Sequence, residues 1–171
     1  MARLSALGRG TTGRALSRPR AWRMDPALPR PCRGRTAARP GFTDFLASRR
    51  ERRCIASSSP VGWIEMGLAR FGVATSFNGP IFSAAVHVKR GKPHPDLFLH
   101  AAAVMAVDPS RALVIEDTPT GVRAGVAAGM TVVGLCAGGH IRDGHADRLH
   151  AAGAHHVVDD YAGVTALLDG P

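Results

Sequence analysis

The chain has 171 residues and is 45% hydrophobic, which suffices for one folded domain and excludes a wholly disordered protein. Its formal net charge of +9 is unevenly distributed, because residues 1–40 hold ten arginines and a single acid, Asp25. Residues 41–171 hold twelve basic and twelve acidic residues. The basic charge of the whole chain therefore gives no reason to expect that residues 41–171 bind nucleic acid.

Residues 1–40 combine Arg, Pro, Gly and Ala without helical or strand periodicity, so we expect this segment to be disordered. The abrupt change in composition near residue 40 favours a non-native extension, produced by a wrong start, a frameshift or a fusion. An arginine-rich transit peptide or a nucleic-acid-binding arm is the alternative, but Trp22 is the only aromatic residue available for base stacking. We predict a domain boundary at residue 40, followed by one domain over 41–171.

From residue 41 onward, periodicity and turn signals predict alternating helices and strands. The predicted helices span 41–53, 60–72, 95–107, 119–128, 146–152 and 161–168, and the predicted strands span 54–59, 81–88, 112–117, 130–135 and 155–160. The helix after the third strand has Thr118 as its N-cap and stops at Gly129. This alternation is typical of an α/β fold with a Rossmann-like, three-layer parallel sheet.

Two further predictions concern residues within these elements. The helix over 95–107 should bury Phe98, Ala101, Ala102 and Met105 on one face. The four histidines at 140, 145, 150 and 155 recur every fifth residue, which is about 140° of rotation on a helix. They therefore share no face, and solvated positions are favoured over a zinc site.

The three cysteines, Cys32, Cys54 and Cys136, are widely spaced and form no C-x-x-C motif. An odd number of thiols without the apolar core of a signal peptide favours a reducing, cytoplasmic location. No apolar run approaches the roughly 20 residues that a membrane helix needs, so no membrane partner is expected.

Polar side chains that suit phosphate and metal chemistry follow three of the predicted strands. Ser57 and Ser58 follow "CIA", Lys92 follows "SAAVHV", and Glu116 and Asp117 end "ALVIED". The carboxyl ends of parallel strands meet at one edge of a sheet, where ligands bind. A hydroxyl and an ammonium suit phosphate oxygens, and carboxylate oxygens suit Mg²⁺.

The stretches "CIASSSP", "GKPHPD" and "IEDTPTG" resemble the second, third and fourth motifs of the haloacid dehalogenase (HAD) superfamily. The resemblance is closest to its β-phosphoglucomutase-like and sugar-phosphate phosphatase members, and it covers about residues 41–168. It implies that Ser57, with Ser58 beside it, binds a phosphoryl group and that Lys92 neutralises its charge. It also implies that Asp117 and Glu116 ligate Mg²⁺ and that the substrate is a small phosphorylated metabolite.

The family's nucleophile, an aspartate in a D-x-D motif on the first, central strand, has no counterpart, because no D-x-D occurs in the 171 residues. We therefore expect an incomplete core that lacks this central strand and the cap domain, with impaired catalysis. Unpaired backbone groups beside the gap should make the fold marginal unless another strand substitutes. The alternatives to a Mg²⁺-dependent phosphatase or phosphomutase are a non-catalytic phosphate-binding relic and, less favoured, a nucleic-acid-binding protein.

Overall fold

The computed structural model describes residues 41–137 and 143–170, all within one compact unit. The segment 1–40, for which disorder was predicted, lies outside the described residues. The helices are α1 Phe42–Ser48, α2 Val61–Arg70, α3 Ala84–His87, α4 Asp96–Val104, α5 Pro119–Ala127, α6 His145–Ala151 and α7 Tyr161–Asp169. The strands are β1 Ile55–Ser57, β2 Ile81–Ser83, β3 Leu113–Glu116, β4 Thr131–Leu135 and β5 His156–Val158.

All strand pairs are parallel, and they form two separate sheets. One sheet is β1–β2, with Ala56 opposite Phe82, and the other is β3–β4–β5, with Val114 opposite Val132. Within residues 41–137 and 143–170, no strand pairs with the second edge of β1 or of β3. The absent central strand remains a prediction from the sequence, as does marginal stability.

Helices cover both faces of the larger sheet, which confirms the predicted three-layer α/β architecture. On one face, Val132 of β4 packs with Phe98 of α4 and Val122 of α5. On the other face, Val133 packs with Val164 of α7. Successive residues of a strand point to opposite faces, so β4 buries four of its five residues between the two helical layers.

Helix α4 packs against both sheets, and this position explains one error in its predicted face. Phe98, Ala101 and Ala102 are buried as predicted, whereas Met105 is only half-buried and Leu97 is fully buried. Phe98 belongs to the core of the larger sheet, and Leu97 packs beside Phe82 of the smaller one. A helix that contacts two sheets buries a wider stripe than a single-face pattern predicts.

The predicted strand over 81–88 is wrong beyond Ser83, because the chain turns into the short helix α3. The Ser83 hydroxyl caps this helix by accepting a hydrogen bond from the backbone N–H of Ala85, at 3.2 Å. The Ser83 backbone N–H donates to Nδ1 of His87, at 3.0 Å. Lys92 therefore follows a helical turn rather than a strand.

The predicted first helix is also too long, because α1 ends at Ser48 and its arginines lie beyond it. Arg53 still contacts the helix end, since its guanidinium donates to the Leu46 carbonyl at 2.7 Å. Arg49 pairs with Asp169 of α7 at 2.7 Å and holds the pKa of that carboxyl below its usual range. These arginines fix α1 against its neighbours rather than extending it.

Helix α5 forms as predicted, and it places the acidic loop before it. The Thr118 hydroxyl accepts a hydrogen bond from the backbone N–H of Gly121 at 3.1 Å, and Pro119 is the first helical residue. Gly129 has a φ of +73°, which suits a residue just past a helix end. Within the described residues, no helix has the length and apolar content to cross a bilayer.

Candidate active site

A pocket of about 460 Å³ lies where β1, β3 and β4 end. It is lined by all five residues that the sequence singles out: Ser57, Ser58, Lys92, Glu116 and Asp117. Residues 57 and 117 come together because the carboxyl ends of β1 and β3, which belong to separate sheets, both face this pocket. The predicted convergence of hydroxyl, ammonium and carboxylates is therefore present in the structure.

The ammonium of Lys92 contacts residues of both sheets. Its Nζ donates to the Ala56 carbonyl of β1 at 3.1 Å and forms an ion pair with Glu116 Oε1 at the end of β3. The same nitrogen lies 4.9 Å from the centre of the Phe98 ring. The side chain is only 10% exposed. The Lys92–Pro93 peptide bond is cis.

The Ala56 carbonyl that Lys92 contacts lies on the open edge of β1. The backbone N–H of Ile55 donates to Pro80, just before β2, so residue 55 directs its polar backbone groups towards that neighbour. In a parallel ladder, alternate residues point their backbone groups to opposite edges, so Ala56 points away from β2. The ammonium thus satisfies a carbonyl that no strand in the described part of the chain pairs.

Glu116 is more tightly bound to the protein than its predicted role as a metal ligand requires. Its Oε1 accepts from Lys92, and its Oε2 accepts from the Thr118 hydroxyl at 3.1 Å. The carboxylate also lies against Gly121, where an added Cβ would overlap it. Both carboxylate oxygens of Glu116 therefore already have partners within the protein.

Of the three consecutive serines that begin at the end of β1, two line the pocket and the third is bonded to β2. Ser57 and Ser58 line the pocket, whereas the Ser59 carbonyl accepts from the buried Ser83 hydroxyl at 2.8 Å. The Ser57 oxygen accepts from the Ser59 backbone N–H at 3.1 Å. A hydroxyl that accepts in this way keeps its own hydrogen to donate to a ligand.

His145 was predicted to be a solvated position, and that prediction is wrong. It is 6% exposed, and its Nε2 donates to the backbone carbonyl of Asp117 at 2.8 Å. His150 and His155 are exposed as predicted, and residue 140 lies outside the described residues. The five-residue spacing of the histidines does not predict the bond between His145 and Asp117, because only the fold brings the start of α6 to the loop after β3.

Tyr161 and Thr120 also line the pocket, and no sequence pattern pointed to either residue. Tyr161 begins α7, and its ring lies 5.1 Å and 5.3 Å from those of Phe42 and Phe45, measured between centres. This aromatic group joins α1 to α7 beside the pocket. Tyr161 therefore has a packing role through its ring contacts, in addition to lining the pocket.

Glu116 and Asp117 are the two carboxylates in the pocket that could ligate a hard divalent cation. Within residues 41–137 and 143–170, no three or more His, Cys, Asp and Glu residues form a group able to hold a metal ion. Structural zinc needs four such ligands, whereas Mg²⁺ commonly uses one or two carboxylates together with water and substrate phosphate. Asp117 and Glu116 match the second pattern.

Comparison with known proteins identifies the family. A family model described as haloacid dehalogenase-like hydrolase matches residues 19–129, well over half of the chain. The chain belongs to the haloacid dehalogenase-like hydrolases. The match begins within the arginine-rich segment, so the boundary at residue 40 stays a prediction.

Sugar-phosphate phosphatases and a phosphomutase are among the proteins similar to this HAD-like chain. It is 38% identical over 94 residues to a fructose-1-phosphate phosphatase of Escherichia coli, which covers 54% of this chain and 49% of the relative. A HAD-family hydrolase of Deinococcus radiodurans, solved with bound phosphate and sodium, is 34% identical with a TM-score of 0.68. That structural match covers 77% of this chain and 59% of the other.

A β-phosphoglucomutase of Clostridium difficile is 28% identical with a TM-score of 0.58, over 74% of this chain and 52% of that one. The HAD-like chain thus spans about half the length of these relatives. The resemblance to β-phosphoglucomutase-like and sugar-phosphate phosphatase members is confirmed, as is the Rossmann-like α/β fold.

Proposed function

We propose that this HAD-like chain binds a small phosphomonoester, such as a sugar phosphate, together with Mg²⁺, as part of a phosphatase or phosphomutase site. The observation that carries the proposal is the meeting of Ser57, Lys92 and Asp117 in one pocket. Its volume of about 460 Å³ is within the usual range for small-molecule sites. The phosphate-bound relative from Deinococcus radiodurans supports the same ligand chemistry.

The charges of the pocket support a paired ligand of phosphate and cation. Among the residues that line it, two carboxylates, Glu116 and Asp117, outweigh the single ammonium of Lys92. A phosphate dianion alone would meet net negative charge, whereas a phosphate bound with a divalent cation is nearly neutral. When bound, the cation would supply charge neutralisation at the phosphate oxygens. Asp117 and Glu116 are the carboxylates that would hold it, and Ser57 and Lys92 would orient the phosphate.

A non-catalytic phosphate-binding protein is the second candidate, and it is favoured by the lack of any D-x-D motif in the 171 residues. In the family that the motifs resemble, covalent phosphoryl transfer uses the aspartate nucleophile of that motif.

The cytoplasm remains the proposed location, because Cys54 and Cys136 are free thiols and suit a reducing compartment.

Titration with inorganic phosphate in the presence of Mg²⁺ tests the proposal. We expect Lys92→Ala to weaken phosphate binding about tenfold or more, because it removes a charge-assisted hydrogen bond. Lys89→Ala is the matched control: Lys89 is the chain's only other lysine, is exposed and does not line the pocket, so binding should not change. Calorimetry at 150 mM salt measures both, and equal effects of the two replacements would contradict the proposal.

Hydrolysis of p-nitrophenyl phosphate separates the two candidate functions. Mg²⁺-dependent turnover by the wild-type chain above the Lys92→Ala level would establish an enzyme. Phosphate binding without turnover would establish the non-catalytic candidate. The arginines of residues 1–40 are unchanged in both proteins, so they cannot account for a difference between them.

A further inference from the structure

The ammonium of Lys92 is bound to the protein in a way that competes with the ligands of its pocket. A lysine has three N–H donors, and two of those of Lys92 are used, by the Ala56 carbonyl and Glu116 Oε1. At most one donor then remains for a phosphate oxygen. Lys92 must give up a protein partner before it can bind a phosphate with more than one hydrogen bond.

Glu116 is in the reciprocal situation with respect to a cation. Lys92 occupies Oε1 and Thr118 occupies Oε2, while Gly121 lies directly beneath the carboxylate. The Glu116 side chain therefore has little room to rotate away from these partners. A divalent cation that takes Oε1 of Glu116 as a ligand is repelled by the ammonium already bound there, so the cation and Lys92 compete for this oxygen.

Phosphate offers the displaced ammonium an alternative partner. Lys92, Glu116 and Asp117 line the same pocket, so a phosphate placed there lies within the reach of the four-carbon lysine stem. A move of Nζ from Glu116 to phosphate would pair the ammonium again and free Oε1. The cost of breaking the ion pair is then recovered only when both ligands are present.

We propose that Lys92 and a divalent cation compete for Glu116, and that phosphate resolves this competition by drawing Lys92 away. The Lys92–Glu116 ion pair is the closed state of the site, and its exchange couples cation binding to phosphate binding. This inference rests on the proposed function, because it assumes that phosphate and a cation are the ligands. The inference goes beyond the proposed function in one respect. Phosphate and the cation should each bind weakly alone, and the Lys92–Glu116 ion pair is the cause.

Mn²⁺ binding to four full-length proteins tests the exchange without any need for catalysis. The proteins are the wild type, Lys92→Met, Glu116→Gln and the double variant, and Mn²⁺ binding is followed by electron paramagnetic resonance without phosphate. We expect Lys92→Met to tighten Mn²⁺ binding about tenfold, because the competing ammonium is gone. In the Glu116→Gln background the same replacement should change the affinity less than about threefold, because the contested carboxylate is absent.

The Glu116→Gln background separates exchange at Glu116 from a general charge effect. Equal tightening in both backgrounds would mean that Lys92 acts only through long-range repulsion, which would overturn the exchange. Weaker or unchanged Mn²⁺ binding by Lys92→Met would also overturn it. Lys92→Gln keeps a donor for Ala56 without the charge, so it should tighten Mn²⁺ binding as well even if the methionine variant folds poorly.

Repeating the titrations with inorganic phosphate distinguishes failure of the inference from failure of the proposed function. Phosphate should improve Mn²⁺ affinity more in the wild type than in Lys92→Met, since only the wild type has an ammonium to move. Wild-type binding of Mn²⁺ with phosphate, but with no coupling between positions 92 and 116, would refute the exchange alone. No binding of Mn²⁺ or phosphate by any of the four proteins would refute the proposed function and the exchange together.

Discussion

Replacing Gly121 by alanine is expected to destabilise the protein by about 1–3 kcal/mol and to weaken the joint binding of phosphate and Mg²⁺, because Glu116 would be displaced as a possible cation ligand. A Cβ at this position would overlap the carboxylate of Glu116, which lies against the first turn of α5. The carboxylate would have to move and would break its bonds with Lys92 and Thr118. Urea unfolding and phosphate calorimetry measure the two effects.

Gly67→Ala is the matched control for this substitution. Gly67 also lies within a helix, α2, but an added Cβ there would meet no atom within 4 Å. Alanine is a better helix former than glycine, so this change should stabilise the protein by about 0.5–1 kcal/mol and leave phosphate binding intact. If Gly121→Ala behaved like Gly67→Ala, the close contact with Glu116 would be wrong.

Replacing Glu116 by leucine is expected to cost about 3 kcal/mol of unfolding free energy. The change leaves the ammonium of Lys92, only 10% exposed, without its charged partner. Removing one member of a buried ion pair typically costs 3–5 kcal/mol, and the lower end applies because both side chains keep some exposure. Chemical denaturation measures the loss, and the coupled phosphate binding should disappear with it.

Two comparisons decide whether this loss comes from the unpaired ammonium. Adding Lys92→Met to Glu116→Leu should recover most of the stability, because an apolar pair of similar volume replaces the buried charges. Asp96→Asn breaks the pair with Arg90, whose side chain is 61% exposed, and should have little effect. A double variant no more stable than Glu116→Leu alone would contradict a buried pair at this site.

The sequence identified Ser57, Glu116 and Asp117 as pocket residues because each lies beside a local signal for the end of a strand. Lys92 was identified through its motif, since the strand predicted before it is wrong beyond Ser83. Thr118 and Pro119 predict a helix start, and the apolar run before Glu116 predicts a strand, so the acidic pair had to lie at a strand end. Ser57 is the last residue of β1 and likewise lies at a strand end. When strands are parallel, their carboxyl ends meet, so local signals were enough to predict a shared site.

The features that the sequence did not predict depend on contacts between distant elements. The "SAAVHV" pattern looks like a strand, but the Ser83 cap and the His87 imidazole turn it into α3. Leu97 is buried because α4 meets a second sheet, and His145 is buried because α6 starts beside the Asp117 loop. None of these environments can be read from neighbouring residues, because tertiary packing overrides local propensity.

The bonds of Glu116 show the same limit for chemistry. The motif resemblance implies a metal ligand, and the residue does line the pocket beside Asp117. Its carboxylate nevertheless pairs with Lys92 and Thr118 in the structure. Spacing along the chain predicts which residues meet, but not which of them are already bound to one another.

Anomalous diffraction from crystals of the chain soaked with Mn²⁺ and phosphate tests whether both ligands bind in this one pocket. We expect a manganese peak within direct coordination distance of the Asp117 carboxylate. We also expect phosphate oxygens within hydrogen-bonding distance of Ser57 Oγ and Lys92 Nζ. Manganese and phosphate bound away from this pocket, with Lys92 still paired to Glu116, would contradict this expectation.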